Sequence, residues 1–197
     1  AAHATATLEQ LASCGRATLG TRVRLVDDDG HDVPLGEVGE IVMRSRGVML
    51  GYRNLPEETE AALKGGWLHT GDLARQDDQG LIYIVDRKKD MIISGGFNIY
   101  AGEVERAMIE HPSISSAAAI GVPDERWGES VTAFVVARPG QVVDAVAIQN
   151  HVKQVKGSMY APKEIVVVDS LPLTSVGKVD KKALRAPYWN KTSRNVN

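Results

Sequence analysis

From Thr21 onward, apolar and polar positions alternate in steps of two. Val23 and Leu25 are interleaved with Arg22 and Arg24, the pattern of a strand with one buried face. Asp27-Asp28-Asp29-Gly30 follows as a turn, and Gly36 and Gly39 bracket another before Glu40-Ile41-Val42-Met43. Leu55-Pro56 opens a short helix over Glu57–Leu63, which Gly65-Gly66 stops, because proline suits a first helical turn and glycine the position past the last. A strand is expected at Leu81–Val85. After it, Asp86-Arg87-Lys88-Lys89-Asp90 puts five charges in a row, which a core cannot hold. This run separates Leu81–Val85 from Met91–Ile93 and is read as a domain boundary.

Beyond it the period lengthens to that of helices. Ala101–Glu110 carries Val104 and Met108 on one face and ends at His111-Pro112, since the residue before proline avoids the helical region. Ala117–Val122 and Val131–Ala137 are apolar runs of strand length. Asp144 caps a helix that runs to about Lys156 and stops at Gly157. Ile165–Val168 is a short strand, and Asp180–Leu184 starts a last helix. The expected class is α/β of the α+β type. A small antiparallel β subdomain spans 1–86, and a compact α+β domain with a mixed three-stranded sheet and helices spans 87–197. The first fifteen residues are weakly patterned and are expected to be partly disordered.

Composition narrows the chemistry. With 197 residues, 23 Lys+Arg against 25 Asp+Glu and a net charge of -2, nothing draws the chain generally toward nucleic acid or an anionic membrane. Its apolar stretches fall far short of the ~20 residues of a membrane helix. Cys14 is the one cysteine, so an intramolecular disulfide and a cysteine zinc site are excluded. Ala1–Gly15 lacks a basic start followed by an apolar run and reads as no secretory signal. The triplet Asn190-Lys191-Thr192 is read as chance, and the expected compartment is the cytoplasm. Gly177-Lys178 is no Walker loop, because Pro172 stands at the first glycine and Val179 at the Ser/Thr. No dinucleotide turn, His-Glu-x-x-His helix, histidine cluster or nucleophile elbow occurs.

Four segments remain, each with two readings. In Gly66-Trp67-Leu68-His69-Thr70-Gly71-Asp72-Leu73, Asp72 can accept two ribose hydroxyls or simply cap backbone amides in a turn. In Asp86–Asp90 with Met91-Ile92-Ile93-Ser94-Gly95-Gly96-Phe97-Asn98, a charged hinge precedes glycines that let a polar ligand approach backbone amides; alternatively this is a solvated hairpin. In Pro123-Asp124-Glu125-Arg126-Trp127-Gly128-Glu129, Trp127 can stack on a base or fold back on its own domain. In Leu171-Pro172-Leu173-Thr174-Ser175-Val176-Gly177-Lys178-Val179-Asp180-Lys181-Lys182, Lys178 can reach a phosphate or carboxylate as a point charge, or merely begin a solvated basic helix.

Taken together and in this order, the segments resemble the C-terminal part of the adenylate-forming superfamily: acyl- and aryl-CoA synthetases, peptide-synthetase adenylation domains and luciferase. The resemblance runs from Ser13-Cys14-Gly15-Arg16 to Leu184-Arg185. It includes Gly36-Glu37-Val38-Gly39-Glu40-Ile41, Gly51-Tyr52, Thr70-Gly71-Asp72-Leu73, Asp86–Asp90, Gly95-Gly96-Phe97-Asn98-Ile99-Tyr100 and Gly177-Lys178-Val179.

The resemblance implies ATP-Mg activation of a carboxylic acid to an acyl-adenylate, then transfer to a thiol, with a small domain swinging between two poses. It implies that Asp72 and Arg87 hold the ATP ribose, that Lys89 is the hinge, and that Lys178 bridges the acyl carboxylate and the α-phosphate. Gly95 and Gly96 would line a pantetheine channel, Trp127 would pack on the CoA adenine, and Lys163 would face CoA phosphates. The implied cofactors are ATP, Mg2+ and CoA, and the partners are small molecules. Met159-Tyr160 departs from the aromatic-lysine pair usual before Pro162-Lys163. The Ser/Thr/Gly-rich phosphate loop and the Gly-x-Thr-Glu motif do not occur in this sequence. The chain is therefore expected to hold the last subdomain of the large domain plus the small domain, an acyl-CoA synthetase fragment inactive alone. The alternatives are an enzyme loading aryl acids onto a carrier protein and a non-catalytic module that binds CoA or a partner.

Overall fold

A computed structural model describes residues 8–189. The chain divides into two compact units between Lys88 and Lys89, two residues past the expected boundary. Arg87 and Lys88 fall in the first unit because both side chains are ion-paired there, Arg87 to Asp72 and Lys88 to Asp28 and Glu40.

In the first unit, β1 (Arg22–Val26), β2 (Gly39–Arg44), β3 (Leu68–Gln76) and β4 (Ile82–Arg87) form an antiparallel sheet in sequence order. Leu25, Ile41, Ala74 and Ile82 bury one face, with Val23 and Val33 packed beside them. The alternation seen in β1 is this face. A helical turn, α1 (Leu8–Leu11), precedes a backbone exchange in which Cys14 and Ile82 each donate, Cys14 N to Ile82 O and Ile82 N to Gly15 O. Partial disorder over the first fifteen residues therefore does not hold from Leu8 on. Residues 1–7 and the Asn190–Thr192 triplet lie outside the described residues. Helix α2 (Pro56–Ala62) starts on its proline as expected.

The second unit, among its described residues, builds a mixed sheet of five strands, not three. Its order is β6 (Phe97–Ile99), β5 (Ile92–Ser94), β8 (Gly128–Ala137), β7 (Ile114–Asp124), with β9 (Glu164–Val167) parallel to β8. The extra strands come from the segment around Gly95-Gly96, which folds as a tight hairpin. Both glycines have positive φ, +57° and +81°, as a two-residue turn of the primed type demands. The β7–β8 hairpin pairs Ile114 with Ala137 and, past an irregularity between Ile114 and Ser116, stays in register from Ser116↔Val136 to Asp124↔Gly128.

Helices α3 (Ala101–Ile109) and α4 (Ala145–Lys156) cover one face of this sheet. Val104, Ala107, Met108, Ile148 and Val152 meet Ala117, Ala119, Val131, Ala133 and Val135 there. On the other face, Ala118, Ile120, Val122 and Phe134 pack on Leu184 and Tyr188 of α5 (Lys181–Trp189). A sheet covered on both sides reads as apolar runs without alternation, which is how β7 and β8 look in the sequence. Each large aliphatic side chain buried this way contributes roughly 1.5–3 kcal/mol relative to exposure.

Candidate functional site

The first unit places Asp72 on β3 opposite Arg87 on β4. Arg87 Nε lies 2.8 Å from Asp72 Oδ1 in an ion pair. Two bulges shape this end of the sheet, one between Glu40 and Val42 and one between Leu73 and Ala74. Gly71 sits between them at φ +71°, a conformation that disfavours any residue with a Cβ. Thr70 Oγ1 donates to Ile41 O at 2.8 Å and accepts from Asp72 N at 3.1 Å, so the segment before Asp72 is tied down at both ends. Thr70 and Asp72 line a depression of about 330 Å³ with Cys14, Arg16, Ile41 and Ile82. Among the described residues Asp72 caps no turn; its carboxylate meets a guanidinium at the wall of a cavity.

Beside it lies Glu40, a buried carboxylate that the sequence reading quoted but gave no role. It accepts from Gly71 N at 3.1 Å and from Lys88 Nζ at 3.1 Å, and His69 Nδ1 lies 3.2 Å away. Burial pushes its pKa up. The bonds from His69 and Lys88, the Lys88 charge and the Gly71 amide outweigh that and hold it below the ordinary glutamate value. Lys88 is shifted in turn: burial lowers its pKa, but bonds to Asp28 and Glu40 raise it above the usual lysine value. A charged residue inside the strand pattern Gly39–Met43 was the available sequence signal.

The second unit brings Gly95, Gly96 and Trp127 together directly and Lys163 through Asp124. Gly95 N donates to Trp127 O at 2.8 Å. A Cβ on Gly95 would stand 2.7 Å from Trp127 Cε3, so the indole lies on the glycine with no room for a side chain. Trp127 stays 44% exposed, and the Arg126 guanidinium sits 4.7 Å from the ring centroid, a cation–π distance. One face of Trp127 is thus turned onto its own unit, and the rest of the ring is open to solvent. Gly96 occupies the same turn with nothing near its missing side chain.

Lys163 reaches this cluster through Asp124, the residue that sequence reasoning missed as a participant. Asp124 Oδ1 accepts from Arg126 N at 3.0 Å and Trp127 N at 3.1 Å, and its Oδ2 accepts from Lys163 Nζ at 2.7 Å. The Lys163 bond is the main reason its carboxyl is held at about 2, with the Arg126 and Trp127 amides adding and desolvation opposing. An aspartate two and three residues before amides it can cap is a recognisable pattern. Its ion pair, 39 residues distant, is not.

Lys178 and Lys89 join neither cluster. Lys178 lies in a tight turn where Thr174 N donates to Lys178 O at 2.7 Å and Lys178 N donates to Thr174 Oγ1 at 3.2 Å. The bridge Leu173↔Val179 closes this turn. The exposed ammonium of Lys178 makes no ion pair among the described residues. After it, Asp180 Oδ1 accepts from Ala183 N at 3.0 Å and caps α5, so the lysine projects from a braced turn and not from a solvated helix start. Lys89 is exposed within the 3-10 turn Lys88–Asp90.

Comparisons with known proteins give the context. The family model described as AMP-binding enzyme matches residues 2–53, and the one described as AMP-binding enzyme C-terminal domain matches residues 103–178. A medium/long-chain-fatty-acid–CoA ligase, FadD8, of Mycobacterium tuberculosis is 53% identical over 95% of this chain and 34% of its own length. An indoleacetate–CoA ligase of Aromatoleum aromaticum is 45% identical over 91% of this chain and 35% of its own. The solved amide bond synthetase McbA of Marinactinospora thermotolerans superposes with a TM-score of 0.84 at 38% identity, covering 91% of this chain and 37% of that one. The chain spans about a third of the length of the curated relatives it matches. With two family models matching in chain order, relatives of this identity and a shared fold, the chain belongs to the adenylate-forming superfamily of AMP-binding enzymes.

Proposed function

We propose that this chain is part of an acid–thiol ligase that activates a carboxylic acid with ATP and transfers the acyl group to CoA. A carboxylate oxygen attacks the α-phosphorus of ATP, the bond to the β-phosphate oxygen breaks, and pyrophosphate leaves. The CoA sulfur then attacks the acyl carbon, loses its proton, and AMP leaves. The observation that carries this reading is the Asp72–Arg87 pair at the wall of a cavity. Arg87 takes Oδ1 and orients the carboxylate, whose remaining lone pairs are suited to two vicinal ribose hydroxyls. Lys178 supplies a cation between two anions that must approach, which stabilises charge as it develops. Trp127, flanked by Arg126 and Lys163, offers an aromatic surface with cations on its border. That chemistry favours a thiol bearing a phosphorylated nucleotide over a carrier protein.

Mg2+ would neutralise the ATP phosphates when bound. Among the described residues the one cluster of three metal-ligating groups is Asp27, Asp29 and His31. It does not fit this role: Asp27 Oδ1 already accepts from Asp29 N and His31 N, and the group is a solvent-exposed strand turn, so no step is routed through it. No helix among the described residues is long and apolar enough to cross a membrane, and we place the enzyme in the cytoplasm.

The test is Lys178→Ala in the whole enzyme. Acid-dependent ATP–pyrophosphate exchange is expected to fall by about 10²–10³, while thioester formation from supplied acyl-adenylate persists. Equal loss in both half-reactions, with folding intact, would assign the lysine a different role.

A further inference from the structure

Within the turn that carries Lys178, the hydrogen bonds converge on Thr174. Thr174 N donates to Lys178 O at 2.7 Å, Thr174 O accepts from Gly177 N at 2.9 Å, and Thr174 Oγ1 accepts from Lys178 N at 3.2 Å. The N–H and the C=O of the lysine thus both end on the same threonine. Gly177 makes the reversal at φ +78°. The stem of the turn is held separately. Leu173 bridges Val179, Asp180 N donates to Pro172 O at 2.8 Å, and Lys181 Nζ lies 2.7 Å from Glu105 Oε1, the two side chains being only 15% and 19% exposed. Glu105 belongs to α3 and also accepts from Ala119 N of β7 at 2.8 Å, so the stem is fastened to the core of the second unit.

Ser175, Val176, Gly177 and Lys178 are all exposed. Among the described residues, Thr174 Oγ1 is the one side-chain atom bonded within residues 174–178, and the Lys178 N–H has no other acceptor. A lysine delivers its charge at the end of a flexible four-carbon stem, so the region its ammonium can reach is set by the place and direction of its Cα. We propose that Thr174 is a positioning residue for acid activation: its hydroxyl oxygen holds the Lys178 backbone, and with it the direction in which the ammonium projects. The inference rests on the reading that Lys178 stabilises the approach of a carboxylate to a phosphate. It adds that the lysine works only from a fixed base. The backbone alone ties the C=O side of Lys178; the N–H side needs a side-chain oxygen, which is why the position takes a hydroxyl residue. Valine has nearly the shape of threonine but no acceptor, and serine keeps the oxygen without the methyl.

The experiment is a double-mutant cycle in the whole enzyme, read as acid-dependent ATP–pyrophosphate exchange and, separately, as thioester formation from supplied acyl-adenylate. Thr174→Val should lower kcat for exchange by about three- to tenfold, the worth of one exposed hydrogen bond. KM for ATP should stay unchanged, because the ammonium acts on charge that develops in the transition state, and thioester formation should persist. Thr174→Ser should restore exchange. On a Lys178→Ala background, Thr174→Val should cost nothing further, since residues that act as a unit are not additive. Should the valine variant fail to fold, Thr174→Ala removes the same oxygen without adding a methyl, and the same outcomes apply. Losses that add in the double variant would overturn the proposal. So would equal loss in both half-reactions, or a serine variant as slow as the valine one. Full exchange in Thr174→Val beside a crippled Lys178→Ala overturns this inference and leaves the reading of Lys178 standing. Exchange that survives Lys178→Ala overturns that reading, and this inference with it.

Discussion

At Gly95 the geometry admits one residue type. A Cβ would stand 2.7 Å from the Trp127 ring, and the backbone φ is +57°. Gly95→Ala should therefore displace the indole and destabilise the second unit by about 1–3 kcal/mol. Gly96 shares the positive φ but has open space around it, so Gly96→Ala should cost only the backbone strain, about 1–2 kcal/mol, and leave Trp127 in place. Melting temperature and tryptophan emission, measured on both variants, separate the two effects. Asp124 gives a pH prediction. Its folded pKa of about 2 lies below the ordinary aspartate value of 3.8, so its contribution is present above the unfolded value and is lost as pH falls through the folded one. Between pH 4 and 2, Lys163 and the Arg126-Trp127 turn should be released, seen as a shift in Trp127 emission. Asp124→Asn should show the released spectrum already at neutral pH; an acid titration identical in the two proteins would remove Asp124 from this role.

Among elements, α4 shows best why parts of the fold were readable. Its start is signalled by Asp144, whose Oδ1 accepts from Val146 N and Ala147 N, and its end by Gly157 at φ +97°. Asp144→Ala should cost about 0.5–2 kcal/mol. Ile148→Ala, which hollows the fully buried face of the same helix, should cost about 2–5 kcal/mol. Chemical denaturation of the two variants tests that order, since a cap replaces one hydrogen bond while a cavity removes many contacts. Strands β7 and β8 were legible as apolar runs. β3 was not, because its bulges at Glu40/Val42 and Leu73/Ala74 break the period of two. β6 escaped notice because it is three residues long behind a glycine pair, too short for any period. The candidate residues were legible where local chemistry marks them: Asp72 beside Gly71, Trp127 in a polar turn, Lys178 before a helix. Asp124 and Glu40 were not, because their importance lies in partners brought from 39 and 48 residues away.

At the scale of the whole molecule, the two units carry unequal cores. The main buried cluster of the first holds Leu25, Ile41, Ala74 and Ile82, whereas the second buries both faces of its sheet. Trypsin should cut first around Lys88 and Lys89, and calorimetry should resolve two transitions, the first unit melting earlier; one sharp transition with cuts only at the ends would contradict both. The 197-residue protein by itself should show no acid-dependent ATP–pyrophosphate exchange, since its sequence contains no glycine-rich loop to cradle the β- and γ-phosphates. The parallel pairing of β9 with β8 has a further consequence for how the second unit is made. β7 and β8 can zip together as a hairpin soon after both exist, but one edge of β8 stays open until α4 has been laid down and Glu164–Val167 arrives. On a ribosome that interval exposes Val131–Val135 as an unpaired apolar strand edge, the kind of template on which nascent chains aggregate. A chain stopped just before Glu164 should accordingly collect in the insoluble fraction, and adding the four residues of β9 in a longer chain should bring it back into solution.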